Sequence, residues 1–213
     1  MTVTDVNVVK SAIFERPDDA NKGTLGSLLC VCGSYGMAGA AVMSAKGALR
    51  TGIGLAKCAL PRSIYPIVAQ TILESVYYPL SENADGRISK VNVPFLVSES
   101  SKSSATLVGC GLGVCDDTLK IVFSLIENST TPLVLDADAL NCVAKQPEIL
   151  LRKKAPIIIT PHPGEMSRLT GLATPLVNAE RERVALDFTQ KYGVVTAVSY
   201  THLRAHETVL DLV

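Results

Sequence analysis

Residues 157–169 place a histidine and an acid in a setting that suggests chemistry. They read IIITPHPGEMSRL, in which an apolar run ends at Thr160 and His162 stands between two prolines. Because these prolines hold the chain extended, a ligand-facing position is favoured for His162 over a place in the core. Glu165 either takes part in that chemistry or is simply an acid that favours the first turn of the following helix.

Residues 133–141, LVLDADALN, carry a second pair of candidates. Asp136 and Asp138 are two residues apart at the end of an apolar run, so their side chains cannot share one environment. We expect one carboxylate to face a cleft, where it can hold a sugar hydroxyl, a metal-bound water or a lysine. We expect the other to cap the helix that follows.

Two glycine-rich segments follow other apolar runs. Residues 33–40 read GSYGMAGA and open a helix, whose free N–H groups and positive dipole end suit an anion. They do not match GxGxxG, and no GK[ST] follows as in a P-loop. Residues 108–117 read VGCGLGVCDD, and their alternating glycines form a floor without side chains that suits a flat ring or a diphosphate. For both segments, a tight turn without a ligand is equally compatible.

All four segments follow apolar runs, and this arrangement indicates the fold. Strand-like runs alternate with helical segments, and several runs are apolar on both faces, which is typical of a parallel sheet between helices. We therefore predict a three-layer α/β/α sandwich with a mainly parallel central sheet, in which ligands bind at the carboxyl ends of the strands. The predicted strands span 28–32, 55–59, 75–78, 106–108, 133–135, 157–160 and 194–196; the predicted helices span 39–50, 64–69, 91–99, 117–128, 139–144 with 147–151, and 179–192.

Composition limits the class of partner. The chain has 213 residues, with 20 Lys and Arg against 20 Asp and Glu, so neither nucleic acid nor an anionic membrane is expected as its main partner. No apolar run reaches the roughly 18 residues of a membrane span, and no secretory signal is visible, so we expect a cytoplasmic protein that acts on a small molecule. The six cysteines form no CxxC motif and are expected to be small buried hydrophobes, with Cys30 and Cys32 on one strand face.

Several motifs together resemble a known family. In order, the chain carries Lys22-Gly23, GSYGMAGAAVMSAKGALRTGIGL, GCGLG, LDADALN and TPHPGEMSRL. This series resembles the ADP-dependent NAD(P)H-hydrate dehydratases, which repair hydrated nicotinamide cofactors. The resemblance implies a ribokinase-like fold. It also implies that ADP phosphorylates the ring hydroxyl of NADHX or NADPHX and that elimination of phosphate restores NADH or NADPH, with Mg²⁺ near the phosphates.

The resemblance also implies functional residues. Ala40, Gly111 or Gly113, and His162 match positions that line the hydrated-cofactor site. Glu165 matches the acid of the superfamily's NxxE element, which organises Mg²⁺ through water, although His162 stands where that element has Asn. The substrate-binding residues expected on this basis are Ala40, Gly111, Gly113, Asp136, His162, Gly164 and Glu165.

The end of the chain departs from the family. Relatives continue with a Lys-Gly segment that binds the adenylate and a GGxGD loop that carries the catalytic Asp, whereas this chain reads AVSYTHLRAHETVLDLV. We therefore interpret residues 1–197 as a dehydratase domain incomplete at its C-terminus and 198–213 as a non-native tail. The resemblance implies an inactive fragment of a homo-oligomer, a tetramer in the family. A small-molecule kinase of the hydroxyethylthiazole or hydroxymethylpyrimidine type and a non-catalytic nucleotide-binding module stay open as alternatives.

Overall fold

A central sheet organises the molecule. The computed structural model describes residues 23–198 and 202–204. In this part of the chain, eight strands lie in the order β3-β2-β1-β4-β5-β6-β7-β8; the first seven run parallel and β8 is antiparallel to β7. The strands are β1 Ser27–Val31, β2 Leu55–Pro61, β3 Val76–Leu80, β4 Ala105–Val108, β5 Leu133–Leu135, β6 Ile157–Ile159, β7 Val195–Val198 and β8 His202–Arg204.

Helices connect the parallel strands, as parallel pairing requires. Three short 3-10 segments, Arg62–Ile64, Lys90–Asn92 and Pro147–Arg152, supplement them. The helices are α1 Ala38–Arg50, α2 Tyr65–Thr71, α3 Val93–Ser101, α4 Asp116–Asn128, α5 Asp138–Val143, α6 Pro163–Thr170, α7 Thr174–Ala179 and α8 Arg181–Tyr192.

Two hydrophobic clusters lie on opposite faces of the sheet. Along β1, Leu29 and Val31 join a large cluster with residues of α4, α5 and α8. Cys30 and Cys32 point to the other face, where they pack with α1 and α2. Because side chains alternate along a strand, this division confirms the three-layer arrangement and the shared face of the two cysteines. Within the described residues, we find no helix long and apolar enough to span a membrane.

The predicted elements agree with the structure to within two residues at each boundary. The prediction placed a helix after His162 but gave no bounds for α6, and it lacked α7 and β8 as separate elements. Helices α7 and α8 are distinct because Glu180 leaves the helical conformation, with φ −125° and ψ 37°. The predicted non-native tail lies outside the described residues, apart from Val198 and the backbone of β8.

Candidate active site

The direction of the strand order reverses between β1 and β4, and a crevice for ligands is expected there. The connection after β1 leads towards β2 and the connection after β4 leads towards β5. The two glycine-rich segments are these connections, and they are joined. Gly33 donates its N–H to the carbonyl of Cys110 at 2.9 Å, and the buried Ser34 hydroxyl donates to the carbonyl of Gly111 at 2.8 Å.

Glycines of the β4 connection are held by close packing. Gly111 has φ +66°, and a Cβ there would lie 2.6 Å from the Cβ of Ala40 on α1. A Cβ on Gly113 would overlap the Arg87 side chain, and one on Gly109 would overlap the carbonyl oxygen of Asp136. The structure thus brings Ala40 and Gly111 together as expected. The sequence predicted a surface without side chains at these glycines. In the structure, neighbouring protein atoms already occupy the space beside them.

The β1 connection is open. An added Cβ at Gly36 or Gly39 would meet no atom within 4 Å. Helix α1 begins without a side-chain cap and without an acid in its first turn. The carboxyl edge of β1 therefore has free space in front of a helix N-terminus, as the sequence suggested.

The two aspartates after β5 both bind neighbouring connections. Asp136 accepts hydrogen bonds from the Thr160 hydroxyl at 2.7 Å and from the Cys110 thiol at 3.3 Å. Asp138 accepts from the N–H of Gly113 at 2.8 Å. The prediction that one aspartate caps the helix is wrong, because α5 has no side-chain cap at its N-cap residue Ala137. Asp138 reaches the glycine connection instead.

His162 and Glu165 form one unit at the start of α6. The N–H of His162 donates to Glu165 Oε2 at 2.9 Å, and its ring Nδ1 accepts from the N–H of Gly164 at 3.0 Å, which together cap the helix. Ring Nε2 lies 3.3 Å from Glu165 Oε1. A side chain at Gly164 would crowd the ring, since its Cβ would lie 2.9 Å from His162 Cε1. The ring itself is half-exposed, at 50% of its side-chain surface, so His162 lies outside the core as predicted, and its contact with a ligand stays a prediction.

Glu165 is buried beneath that ring. Burial raises the pKa of its carboxyl above the ordinary value, and the negative charge of Asp136 acts in the same direction. The backbone N–H of His162, the His162 ring and Arg168 oppose this shift without cancelling it. An acid with a raised pKa in a crevice is a feature of functional sites.

The described residues do not fit a Mg²⁺ ion bound by protein ligands alone. We find among them no group of three His, Cys, Asp or Glu side chains that could hold a metal ion. Both carboxylate oxygens of Glu165 face His162, one on its N–H and one near its ring. Direct coordination by Glu165 would break the cap of α6.

Sequence reasoning missed a polar chain that links the glycine connection to α6. Asp138 accepts from Asn141 at 3.2 Å as well as from Gly113, and Arg168 Nη1 donates to Asn141 Oδ1 at 2.9 Å. The i,i+3 spacing of Asp138 and Asn141 on a helix was a usable signal. Arg87 was also missed: it lies over Gly113 and donates to the carbonyl of Val114 at 3.3 Å, and nothing local in the sequence indicates this.

Curated relatives are similar in sequence over most of this chain. A sequence profile of the family described as NAD(P)H-hydrate dehydratase matches residues 28–204. The bifunctional NAD(P)H-hydrate repair enzyme of Thermofilum pendens is 35% identical over 88% of this chain and 36% of its own length. The ADP-dependent (S)-NAD(P)H-hydrate dehydratase of Neisseria meningitidis is 30% identical over 92% of this chain and 61% of its own length. The chain thus spans about a third to three fifths of these relatives.

Solved structures agree with the fold. The ADP/ATP-dependent NAD(P)H-hydrate dehydratase of Bacillus subtilis, co-crystallised with ATP/Mg²⁺, is 25% identical, with a TM-score of 0.75 over 94% of this chain and 67% of that one. A Streptococcus mutans protein has a TM-score of 0.78 at 23% identity over 95% of this chain and 69% of that one, and shows the fold alone. With the profile covering most of its length, the chain belongs to the NAD(P)H-hydrate dehydratase family.

Proposed function

We propose that this domain acts in the ADP-dependent dehydration of NADHX and NADPHX to NADH and NADPH, with release of AMP and phosphate. The observation that carries the proposal is the His162–Glu165 unit, which presents a half-exposed ring over a buried carboxyl beside Asp136. It stands at the sheet edge where Gly111 meets Ala40. Family membership supplies the reaction class, since the family and the relative from N. meningitidis are NAD(P)H-hydrate dehydratases.

The described residues are proposed to bind and orient the hydrated cofactor. Ala40, Gly111 and Gly113 form one wall of the crevice, and the connections after β5 and β6 supply polar groups on the other side, at Asp136, His162, Gly164 and Glu165. Hydroxide is a poor leaving group, whereas phosphate leaves readily, so transfer of phosphate from ADP to the ring hydroxyl makes the elimination possible.

Mg²⁺ is proposed to enter with the nucleotide, because the described residues do not build a site for it. The relative from B. subtilis was crystallised with ATP/Mg²⁺.

Two finer expectations remain proposals. A cytoplasmic location is supported by the six cysteines, which are all free. A homo-oligomer is supported by large apolar side chains exposed on and beside α1 and α2, namely Met43, Ile67 and Leu73.

Binding and turnover test the proposal separately. The 213-residue chain is incubated with NADPHX, ADP and Mg²⁺ while NADPH absorbance is followed. Binding of NADPHX and of NADPH is measured by calorimetry. We expect binding to the chain, about tenfold weaker in His162→Ala and unchanged in the surface control Arg152→Ala. Absence of both binding and turnover would overturn the proposal.

Product analysis separates the alternatives. A stable phosphorylated alcohol from a hydroxyethylthiazole or hydroxymethylpyrimidine substrate would show a small-molecule kinase instead. Nucleotide binding without affinity for NADPHX or NADPH would favour a non-catalytic module.

A further inference from the structure

Two cysteines meet where the β1 and β4 connections join. The ladder continues beyond the strands as Gly109 donates its N–H to the carbonyl of Val31 at 3.2 Å. A regular parallel ladder would then pair the N–H of Gly33 with the carbonyl of Gly109, but it bonds to Cys110. This one-residue bulge, with Gly109 at φ +126°, places Cys110 alongside Cys32 on the α1 face of the sheet.

The two cysteines lie side by side. Cys110 packs against the hydrophobic cluster that contains Cys32, and its carbonyl accepts the N–H of Gly33, the residue after Cys32, at 2.9 Å. Cys32 is buried, at 1% exposure, whereas Cys110 is partly exposed at the crevice and donates to Asp136 at 3.3 Å. The hydrogen bond from Cys32 is the main reason that the pKa of Cys110 is lowered, while that same bond and burial raise the pKa of Cys32. Cys110 is thus the more accessible residue of the pair, and Cys32 is the protected one.

We infer that Cys32 and Cys110 form an oxidative modification site that a hydroperoxide converts to a disulfide. The Cys110 thiolate attacks the peroxide, its sulfur takes one oxygen to give a sulfenic acid, and hydroxide leaves. The Cys32 thiol then attacks that sulfur, the S–S bond forms, the S–O bond breaks, and the Cys32 proton leaves with the hydroxyl as water. Two thiols and one hydrogen peroxide yield one disulfide and two waters.

Backbone geometry permits the bond. Neighbouring strands lie about 4.8 Å apart and residues along a strand about 3.3 Å, so positions offset by one residue have Cα atoms roughly 6 Å apart. This separation lies inside the range of about 4.4 to 6.8 Å found in disulfides. Adjacent strands therefore need little movement to join Cys32 and Cys110.

The four other cysteines do not combine an adjacent thiol, partial exposure and a lowered pKa. Cys30 and Cys58 are directly paired across β1 and β2, but both are at most 2% exposed and burial raises the pKa of each. Burial acts to raise the pKa of Cys115, but hydrogen bonds from Thr118 and other neighbours lower it overall. That thiol is partly exposed, and the Thr118 hydroxyl stands between it and Cys142, at 3.6 Å and 3.9 Å from the two sulfurs.

Oxidation would change the shape of the crevice. Cys110 immediately precedes Gly111, which has no room to move towards Ala40. A bond to Cys32 would draw the connection towards β1 and distort this wall. On the proposed function, the oxidised protein would bind the nicotinamide cofactor more weakly until a thiol reductant restored it.

Peptide mapping tests the modification itself, independently of activity. The purified chain is treated with hydrogen peroxide, its remaining thiols are alkylated after unfolding, and it is digested without reductant. We expect two of the six thiols to be lost and one linked peptide pair containing Cys32 and Cys110, reversed by dithiothreitol. In Cys32→Ala, we expect dimedone to trap a sulfenic acid on Cys110.

Cys115→Ala is the matched control, because Cys115 also has a lowered pKa and partial exposure. We expect it to form the same linked pair as the wild type. A wild-type chain in which Cys110 proceeds to sulfinic acid while Cys32 is still alkylated would overturn the inference, as would a link between Cys30 and Cys58. The wild-type map decides the question even if a variant does not fold, and far-ultraviolet circular dichroism identifies such a variant.

Discussion

Two buried glutamates occupy opposite edges of the sheet. Glu99 lies near the amino edge, where Lys102 bonds to it at 2.7 Å and Lys57 lies 3.8 Å away. The hydrogen bond from Lys102 is the main reason that the pKa of Glu99 is below its ordinary value. Glu165 lies at the carboxyl edge beside His162, which is charged only when protonated, and burial raises the pKa of its carboxyl.

The difference separates a carboxylate that neighbouring cations stabilise from one whose charged form burial disfavours. At the amino edge, cations offset the cost of burying a carboxylate, so the charged form suits the folded state. At the carboxyl edge, the folded state disfavours the charged form of Glu165. Such an acid is poised to exchange protons or to bind a ligand that compensates it.

Gly109→Ala tests whether the residues at the carboxyl edge of the sheet are closely packed. The new Cβ would overlap the Asp136 carbonyl at φ +126°, so we expect a loss of about 3 to 5 kcal/mol in unfolding free energy. Urea titration followed by circular dichroism measures it. Gly39→Ala is the control, because its Cβ meets open space, and we expect a change below about 1 kcal/mol. Equal losses in the two variants would contradict the close packing described for Gly109.

Glu99→Gln probes the stabilising edge. It leaves the buried ammonium of Lys57 without a carboxylate, and the Tyr78 hydroxyl, 3.1 Å from Glu99, without a charged acceptor. We expect a loss of about 2 to 3 kcal/mol at pH 7, measured by urea titration. A variant as stable as the wild type would show that the cations do not stabilise this edge.

The pH dependence of stability should have opposite signs for the two acids. The stabilisation from Glu99 is present above about pH 4.5 and is lost as the pH falls through its lowered folded pKa. The contribution of Glu165 is fully present below about pH 4.5 and is lost as the pH rises through its raised folded pKa. Urea titrations of both Gln variants from about pH 3 to 7 measure the two trends relative to wild type. If the stability of both variants relative to wild type changed with pH in the same direction, the opposite pKa shifts of Glu99 and Glu165 would be contradicted.

Glu165→Gln should have the smallest effect on stability. Glutamine also serves at this position of a capping box, and its neutral amide avoids the cost of a buried charge. At pH 7 we expect the free energy of unfolding to differ from that of the wild type by less than about 1 kcal/mol. We expect the difference to be a gain, because a neutral amide costs less to bury than a carboxylate. The same urea titrations measure it, and a loss as large as that of Glu99→Gln would remove the contrast between the two edges.

Sequence patterns were sufficient for the fold and for the edge of the sheet at which the candidate residues lie. Strand-helix alternation predicted the parallel sheet, and post-strand motifs predicted that Ala40, Gly111, Asp136 and His162 lie at one edge. The turn chemistry around His162 fixed its outward position, since prolines constrain the backbone locally.

Long-range contacts were beyond sequence reasoning. The reach of Asp138 to Gly113, the cover of Gly113 by Arg87 and the meeting of Cys32 with Cys110 join segments 25 or more residues apart. Each depends on strand order, and the meeting of the two cysteines also depends on the bulge at Gly109, which no local pattern encodes. The packing of the glycines after β4 was missed for the same reason, because the segments that lie against them come from elsewhere in the chain.

The central position of β1 has a consequence for folding during synthesis. Strands β1 to β3 and helices α1 and α2 emerge first and already contain the residues of the smaller hydrophobic cluster. The inner edge of β1 stays unpaired until β4 is made, and unpaired edges favour association with other chains. Synthesis of β4 covers that edge, and each strand up to β7 then adds in sequence order to a single growing edge and covers the edge that the strand before it exposed.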